Sequence, residues 1–162
     1  MTVFWVTLLI TIVCCLLMAA GVLLRGRPLT GDQLLALCAV HLLERGRLAP
    51  RRVVSTVMSN MGLGKALSHM GITHQKAAVG DRYVMEQMVT SEAVIGGEDS
   101  GHMIFLDHHT TGDGMLAALK LLAVMQISGS RLSELATVMR VFPQCLINVD
   151  VQSKPEIASV DA

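Results

Sequence analysis

From Thr30 to Val151 the chain alternates short β-branched or apolar runs with segments of helical periodicity, and nearly every junction falls at a glycine or a helix-capping residue. Thr30 can cap a helix carrying Leu34, Leu35, Leu37, Cys38, Leu42 and Leu43 on its apolar positions, with Gly46 as a left-handed stop. Val53–Met58 reads as a buried strand, Ser59 or Asn60 as the cap of a short helix ending at Gly71, and Ile72–Val79 as extended. Asp81–Met88 reads as a helix, Val94 and Ile95 begin a strand that stops at Gly96 and Gly97, and Met103–Leu106 is a further strand. A long helix over Gly114–Met125, a shorter one over Leu132–Met139 and a closing strand over Cys145–Val151 complete the pattern. The expected fold class is α/β, a single layered domain with a mostly parallel or mixed sheet flanked by helices.

Composition adds an appendage to that domain. The 162 residues are 52% hydrophobic and only 16% charged, with a mean hydropathy of +0.54. The excess comes from Val3–Leu24, which contains no charged residue. Twenty-two residues of helix extend roughly 33 Å, enough to cross a hydrocarbon core. This gives an N-terminal apolar helix over residues 1–25, one domain over 26–152, and a tail over 153–162 that contains Pro155 and has little apolar content. Arg25 and Arg27 follow the run, so a spanning helix would leave the domain in the cytoplasm. The alternatives are a signal segment cleaved near Ala19–Gly21 and a run with no anchoring role, in which case the chain is cytoplasmic.

Thirteen basic and thirteen acidic residues leave no net charge, which argues against a nucleic-acid partner. The cysteines, Cys14, Cys15, Cys38 and Cys145, have no C-x-x-C spacing and fall in apolar segments, as buried thiols of a reducing compartment do.

Three segments carry candidate chemistry. In GGEDSGH, Gly96–His102, two glycines turn the backbone after a strand and present a carboxylate, a hydroxyl and an imidazole together. Glu98 can accept from sugar hydroxyls, Ser100 can donate and accept, and His102 can move a proton near neutral pH. The same groups can simply face water in a solvated turn. In LDHHTTGDG, the spacing of Asp107, His108, His109 and Asp113 suits a metal poorly, and Thr110, Thr111 and Asp113 suit the cap of the next helix. In VGDRYV, Arg82 can read a phosphate or join a surface ion pair, with Asp81 beside it. Gly62–Lys65 lacks the spacing of a phosphate-binding loop.

Taken in order, TGDQLLALCAVHL, TVMSNMGL, KAAVGDRYVMEQM, GGEDSGHMIFLDHHTTGDGMLAALKLLAVM and FPQCLINVDV resemble bacterial phosphoglucosamine mutase, of the α-D-phosphohexomutase superfamily. The resemblance covers approximately Gly26–Pro155 and the third of the family's four domains, the one with the sugar-recognition loop. It implies an enzyme interconverting glucosamine 6-phosphate and glucosamine 1-phosphate through a phosphoserine and a bound magnesium ion. It also implies hexosamine phosphate as ligand, Gly97, Glu98 and Ser100 as substrate-binding positions, His102 as a catalytic proton carrier, and Asp81 and Arg82 near the cleft. Asp99 stands where relatives often have Gln or Asn, and its charge is expected to weaken binding of an anionic sugar. The sequence shows no Ser-His-Asn-Pro segment, no repeated-aspartate metal loop and no phosphate-binding domain after FPQCLINVDV. The expectation is therefore a truncated mutase-like chain that holds sugar, binds no metal or other cofactor of its own and does not turn over alone. Magnesium is expected in full-length relatives, and the competing expectation is a membrane-anchored, non-catalytic binding module.

Overall fold

A computed structural model describes residues 28–147. The elements are α1 (Gly31–Glu44), β1 (Arg52–Thr56), α2 (Met61–His69), β2 (Thr73–Ala77), α3 (Asp81–Ser91), β3 (Ile95–Gly97), β4 (Met103–Phe105), α4 (Gly114–Ser128) and α5 (Leu132–Leu135), followed by a single 3-10 turn, Ala136–Val138. The sheet order is β2-β1-β3-β4. β2 and β3 both run parallel to β1, with Val53 opposite His74 on one side and Ile95 on the other. β4 is antiparallel to β3, because the loop joining them is too short for a crossover. The sheet is therefore mixed, with one reversed edge.

Strand alternation sorts the core onto two faces. Val53, Ile95, Met103 and Phe105 pack with Leu35, Ala39, Leu63 and Leu67 of α1 and α2. Val54 and Ile104, one residue out of phase, pack with Val84 and Met88 of α3. Leu37, Leu121 and Val124 fasten α4 to α1, with Leu29 against them. The capping residues act as the sequence suggests. Thr30 forms a capping box with Gln33, Asn60 accepts from Gly62 N–H, and Asp113 accepts from the N–H groups of Met115 and Leu116. Gly46 is left-handed at φ +65°.

Three expectations are corrected. The helix expected over Leu132–Met139 is one short helix and a 3-10 turn. Cys145–Ile147, the described part of the closing strand, pairs with no strand among the described residues. The chain there is held by side chains instead: Asn60 donates to the Phe142 carbonyl and accepts its N–H, and Gln144 donates to the Met58 carbonyl. For the same reason Cys145 is exposed, whereas Cys38 is buried as expected. The apolar helix read over residues 1–25, Cys14 and Cys15 within it, and the tail over 153–162 lie outside the described residues. Among the described residues no single helix is long and apolar enough to cross a membrane.

Candidate functional site

The parallel strands β1, β2 and β3 end at one edge of the sheet, where open α/β sheets place their ligands. Two loops meet there. Gly80, at φ +126°, turns the chain from β2 into α3, and its N–H donates to Glu98 Oε1 at 2.8 Å. Glu98 opens the loop between β3 and β4, which is closed by Glu98 N–H to the His102 carbonyl and by Gly101 N–H to the Glu98 carbonyl. Gly97 is buried at the base of this loop, and a Cβ there would meet the His102 carbonyl oxygen at 2.6 Å.

The clasp gathers three chemically active side chains. One ligand atom each from Asp81, Glu98 and His102 lies within 4.8 Å of the others. His102 Nδ1 is 3.8 Å from Asp81 Oδ1, and both side chains are substantially exposed. Ser100 joins from the same loop, its hydroxyl donating to Glu98 Oε2 at 3.4 Å. Gly112 lies beneath the His102 ring, since a Cβ at 112 would come within 2.9 Å of its Cδ2. Glu98, Ser100 and His102 thus come together with Asp81. Arg82 does not join them: its Nε donates to Glu86 Oε1 at 2.8 Å, one turn along α3 on an exposed face.

Asp99 points to the other side of its loop. Its carbonyl accepts from Gly31 N–H at 3.0 Å, and its carboxylate from Asp32 N–H at 3.4 Å. The negative charge expected to face substrate lies at the positive N-terminus of α1, where it stabilises the helix.

Sequence reasoning missed Asp32, which is fully buried in the first turn of α1. One carboxylate oxygen accepts from Asn60 N–H, the other has no hydrogen-bond partner, and burial raises its pKa above the ordinary 3.8. The only signal was an acidic residue after a helix cap. Also missed was a cavity of about 470 Å³ lined by Ser59, Asn60, Lys65, Lys76, Phe142 and Gln144, with the Lys65 ammonium 4.7 Å from the Phe142 ring centre.

The histidine-rich loop has structural duties. Asp107 pairs with Arg47 at 2.7 Å, His108 Nε2 lies 2.6 Å from Lys120 Nζ, and His109 Nδ1 accepts from Thr111 N–H. Asp113 caps α4 in place of the threonines. Gly62 and Gly64 lie inside α2, so the glycines before Lys65 form no phosphate cradle.

Asp81, Glu98 and His102 do not suit magnesium. That ion takes oxygen ligands at about 2.0–2.1 Å in an octahedron, which puts neighbouring donors about 3 Å apart. Here one donor is a nitrogen, and it stands 3.8 Å from the Asp81 oxygen.

Residues 30–142 match the family model of phosphoglucomutase/phosphomannomutase, alpha/beta/alpha domain III. The chain is 56% identical over 136 residues to a phosphoglucosamine mutase of Syntrophobacter fumaroxidans, covering 84% of this chain and 30% of that protein. It is 55% identical over 130 residues to the phosphoglucosamine mutase of Geobacillus thermodenitrificans, covering 80% and 29%. The chain therefore spans about 30% of the length of the curated relatives it matches. Among solved structures, an Aspergillus fumigatus N-acetylphosphoglucosamine mutase in complex with GlcNAc-6P and magnesium superimposes with a TM-score of 0.64 at 16% identity, over 77% of this chain and 33% of that one. A phosphoglucomutase/phosphomannomutase family protein from Burkholderia thailandensis gives 0.61 at 22% identity, over 75% and 25%. These two likenesses concern the fold.

Proposed function

Because the chain belongs to the phosphoglucomutase/phosphomannomutase family through its domain III, we propose that it is the sugar-holding part of a phosphoglucosamine mutase and that its ligand is a hexosamine phosphate. The observation that carries this reading is the Gly80–Glu98 hydrogen bond, which fixes the carboxylate of one loop against the backbone of another at the ligand edge of the sheet. So held, Glu98 accepts from sugar hydroxyls with lone pairs left over from Gly80 and Ser100, and the Ser100 hydroxyl both donates and accepts. His102, on the rim, is placed to exchange a proton with a sugar hydroxyl.

The family reaction moves a phosphoryl group between enzyme and sugar, with the sugar turning over between two transfers. Such chemistry needs a donor, a charge-neutralising cation and a phosphate clamp held in register. The part assigned to these residues is to grip the sugar in both orientations, for which paired donors and acceptors on a rigid loop are suited. Calorimetric titration of the full chain with glucosamine 6-phosphate tests the reading. Binding that Glu98→Ala weakens by about tenfold or more is expected for the loss of charge-assisted hydrogen bonds. Equal affinity of the two proteins would remove the loop from the account.

A further inference from the structure

We infer that the outward face of α4 is a docking surface and that its occupant is the apolar run Val3–Leu24 of the same chain. The inference is independent of the hexosamine phosphate reading.

α4 is apolar on every side. Its one charged residue is Lys120, and Gln126 and Ser128 are its other polar side chains. The inner face packs as a core helix does: Ala117, Leu121 and Val124 are buried, the last two against Leu37 of α1. The opposite face is equally apolar and lies open. Leu119 and Leu122, three residues apart and so on one side of the helix, are 63% and 55% exposed. Lys120 turns away from them, its Nζ 2.6 Å from His108 Nε2 and 5.5 Å from the Phe105 ring centre. A helix at the edge of a domain ordinarily carries polar groups on its outer face, and one that is apolar all round is covered on both.

The path and composition of the chain choose the occupant. Leu29, near the start of the described residues, packs with the Leu37, Leu121 and Val124 cluster, so the chain enters the domain against α4. Leu24, where the run ends, stands five residues before it. Five residues reach at most about 18 Å, and the whole of α4 is about 22 Å long. Leu121 and Val124 lie in its middle turns, which brings either end of the helix within reach. The run, at roughly 33 Å if helical and more if extended, is long enough to follow α4 from end to end. It contains no charged residue, so it brings no charge to be desolvated against Leu119 and Leu122. A bilayer is the competing destination for such a run. α4 is too short to cross one beside it, so that arrangement would leave Leu119 and Leu122 uncovered. Docking covers both apolar surfaces at once.

The full chain supplies its own probes, because Cys14 and Cys15 lie in the middle of the run. In a Cys145→Ser background, Leu119→Cys and, separately, Leu122→Cys are treated with a short bismaleimide. Val89→Cys, at an exposed position of α3 on the far side of the sheet, is the control. Peptide mass spectrometry identifies the linked pairs. Links from positions 119 and 122 to Cys14 or Cys15 within one chain are expected to form about tenfold faster than from position 89, since docking raises the local concentration of the two thiols. Comparable rates from all three positions overturn the inference. Links that join two chains, with a dimer in sedimentation, overturn it in favour of a second copy. Flotation of the parent chain with phosphatidylcholine vesicles overturns it in favour of a bilayer. Should Leu119→Cys fail to fold by circular dichroism, Leu122→Cys carries the same comparison.

Discussion

The carboxylate of Asp32 accepts the backbone N–H of Asn60 across 28 residues of chain, joining the first turn of α1 to the cap of α2. Both residues are buried, and the Asp32 backbone N–H is in turn received by Asp99. One residue thereby connects the loop between β3 and β4, through its backbone N–H, to the loop that follows β1, through its side chain.

Removing that carboxylate leaves a buried N–H without a partner. Asp32→Ala is expected to lower unfolding free energy by about 1–3 kcal/mol. Asp32→Asn keeps an acceptor and removes a charge that burial disfavours, so it should be near neutral at pH 7. Urea denaturation of the two variants beside the parent chain measures both, and an alanine variant as stable as the parent would refute the strut.

Histidine 74 predicts a pH dependence. Burial, with a smaller contribution from the Lys76 charge, pushes its imidazole down to about 4 from the ordinary 6.5. Its Nε2 lies 2.6 Å from the Ser55 hydroxyl. The unfolded chain therefore takes up the proton first as pH falls. The contribution of His74 is complete above about 6.5, declines through the window between the two values, and is lost below about 4. Asp32 slopes the other way: its pKa is raised, so its contribution is present at low pH and lost as pH rises through the folded value. Denaturation midpoints of the parent chain and His74→Gln, at several pH values from 4 to 7, separate the two. The variant is expected to show the flatter fall on the acid side.

Gly31 is required by closeness. A Cβ at this position would run into the Glu98 carbonyl oxygen, with Gly101 N at 2.6 Å and Asp99 C at 2.7 Å. All three are backbone atoms, which cannot swing aside as a side chain can. Gly31→Ala is expected to cost about 1–3 kcal/mol, as overpacking does. It should also displace the amide resonances of residues 98–101 far more than those of α3. A variant with parental stability and unmoved loop amides would contradict this contact.

The two described cysteines should differ in reactivity. Burial pushes the Cys38 thiol up to about 12, and Cys38 is 2% exposed, whereas Cys145 is exposed. The thiolate is the nucleophile, so iodoacetamide at pH 8 is expected to modify Cys145 in the folded chain and Cys38 only after denaturation. Peptide mass spectrometry resolves the two sites.

The fold was legible where a local rule decides the outcome. Val53 and Val54 sort to opposite faces because strand side chains alternate, and Thr30, Asn60 and Asp113 cap helices because their short polar side chains reach backbone N–H groups. Cys145–Ile147 has the same kind of apolar pattern as a strand but meets no partner edge, since Asn60 and Gln144 tie down the chain before it. Within the site, Glu98, Ser100 and His102 could be read as neighbours from one short segment. Asp81 was placed near the cleft by the family resemblance; from residue spacing alone, that it joins them follows only once β2 and β3 are known to flank β1 in parallel. Arg82 had a competitor in the sequence itself: Glu86 stands four residues on, the spacing at which helical ion pairs form. The burial of Asp32 and the turning of Asp99 toward α1 depend on partners 28 and 67 residues away, which no local pattern announces.

Because α1 begins in van der Waals contact with the Glu98–Gly101 turn, that turn has no slack of its own. A library that randomises only the turn would sample conformations the helix start forbids, and most of its members would be lost to misfolding. Reshaping this turn calls for paired changes, one drawn from the turn and one from residues 30–32.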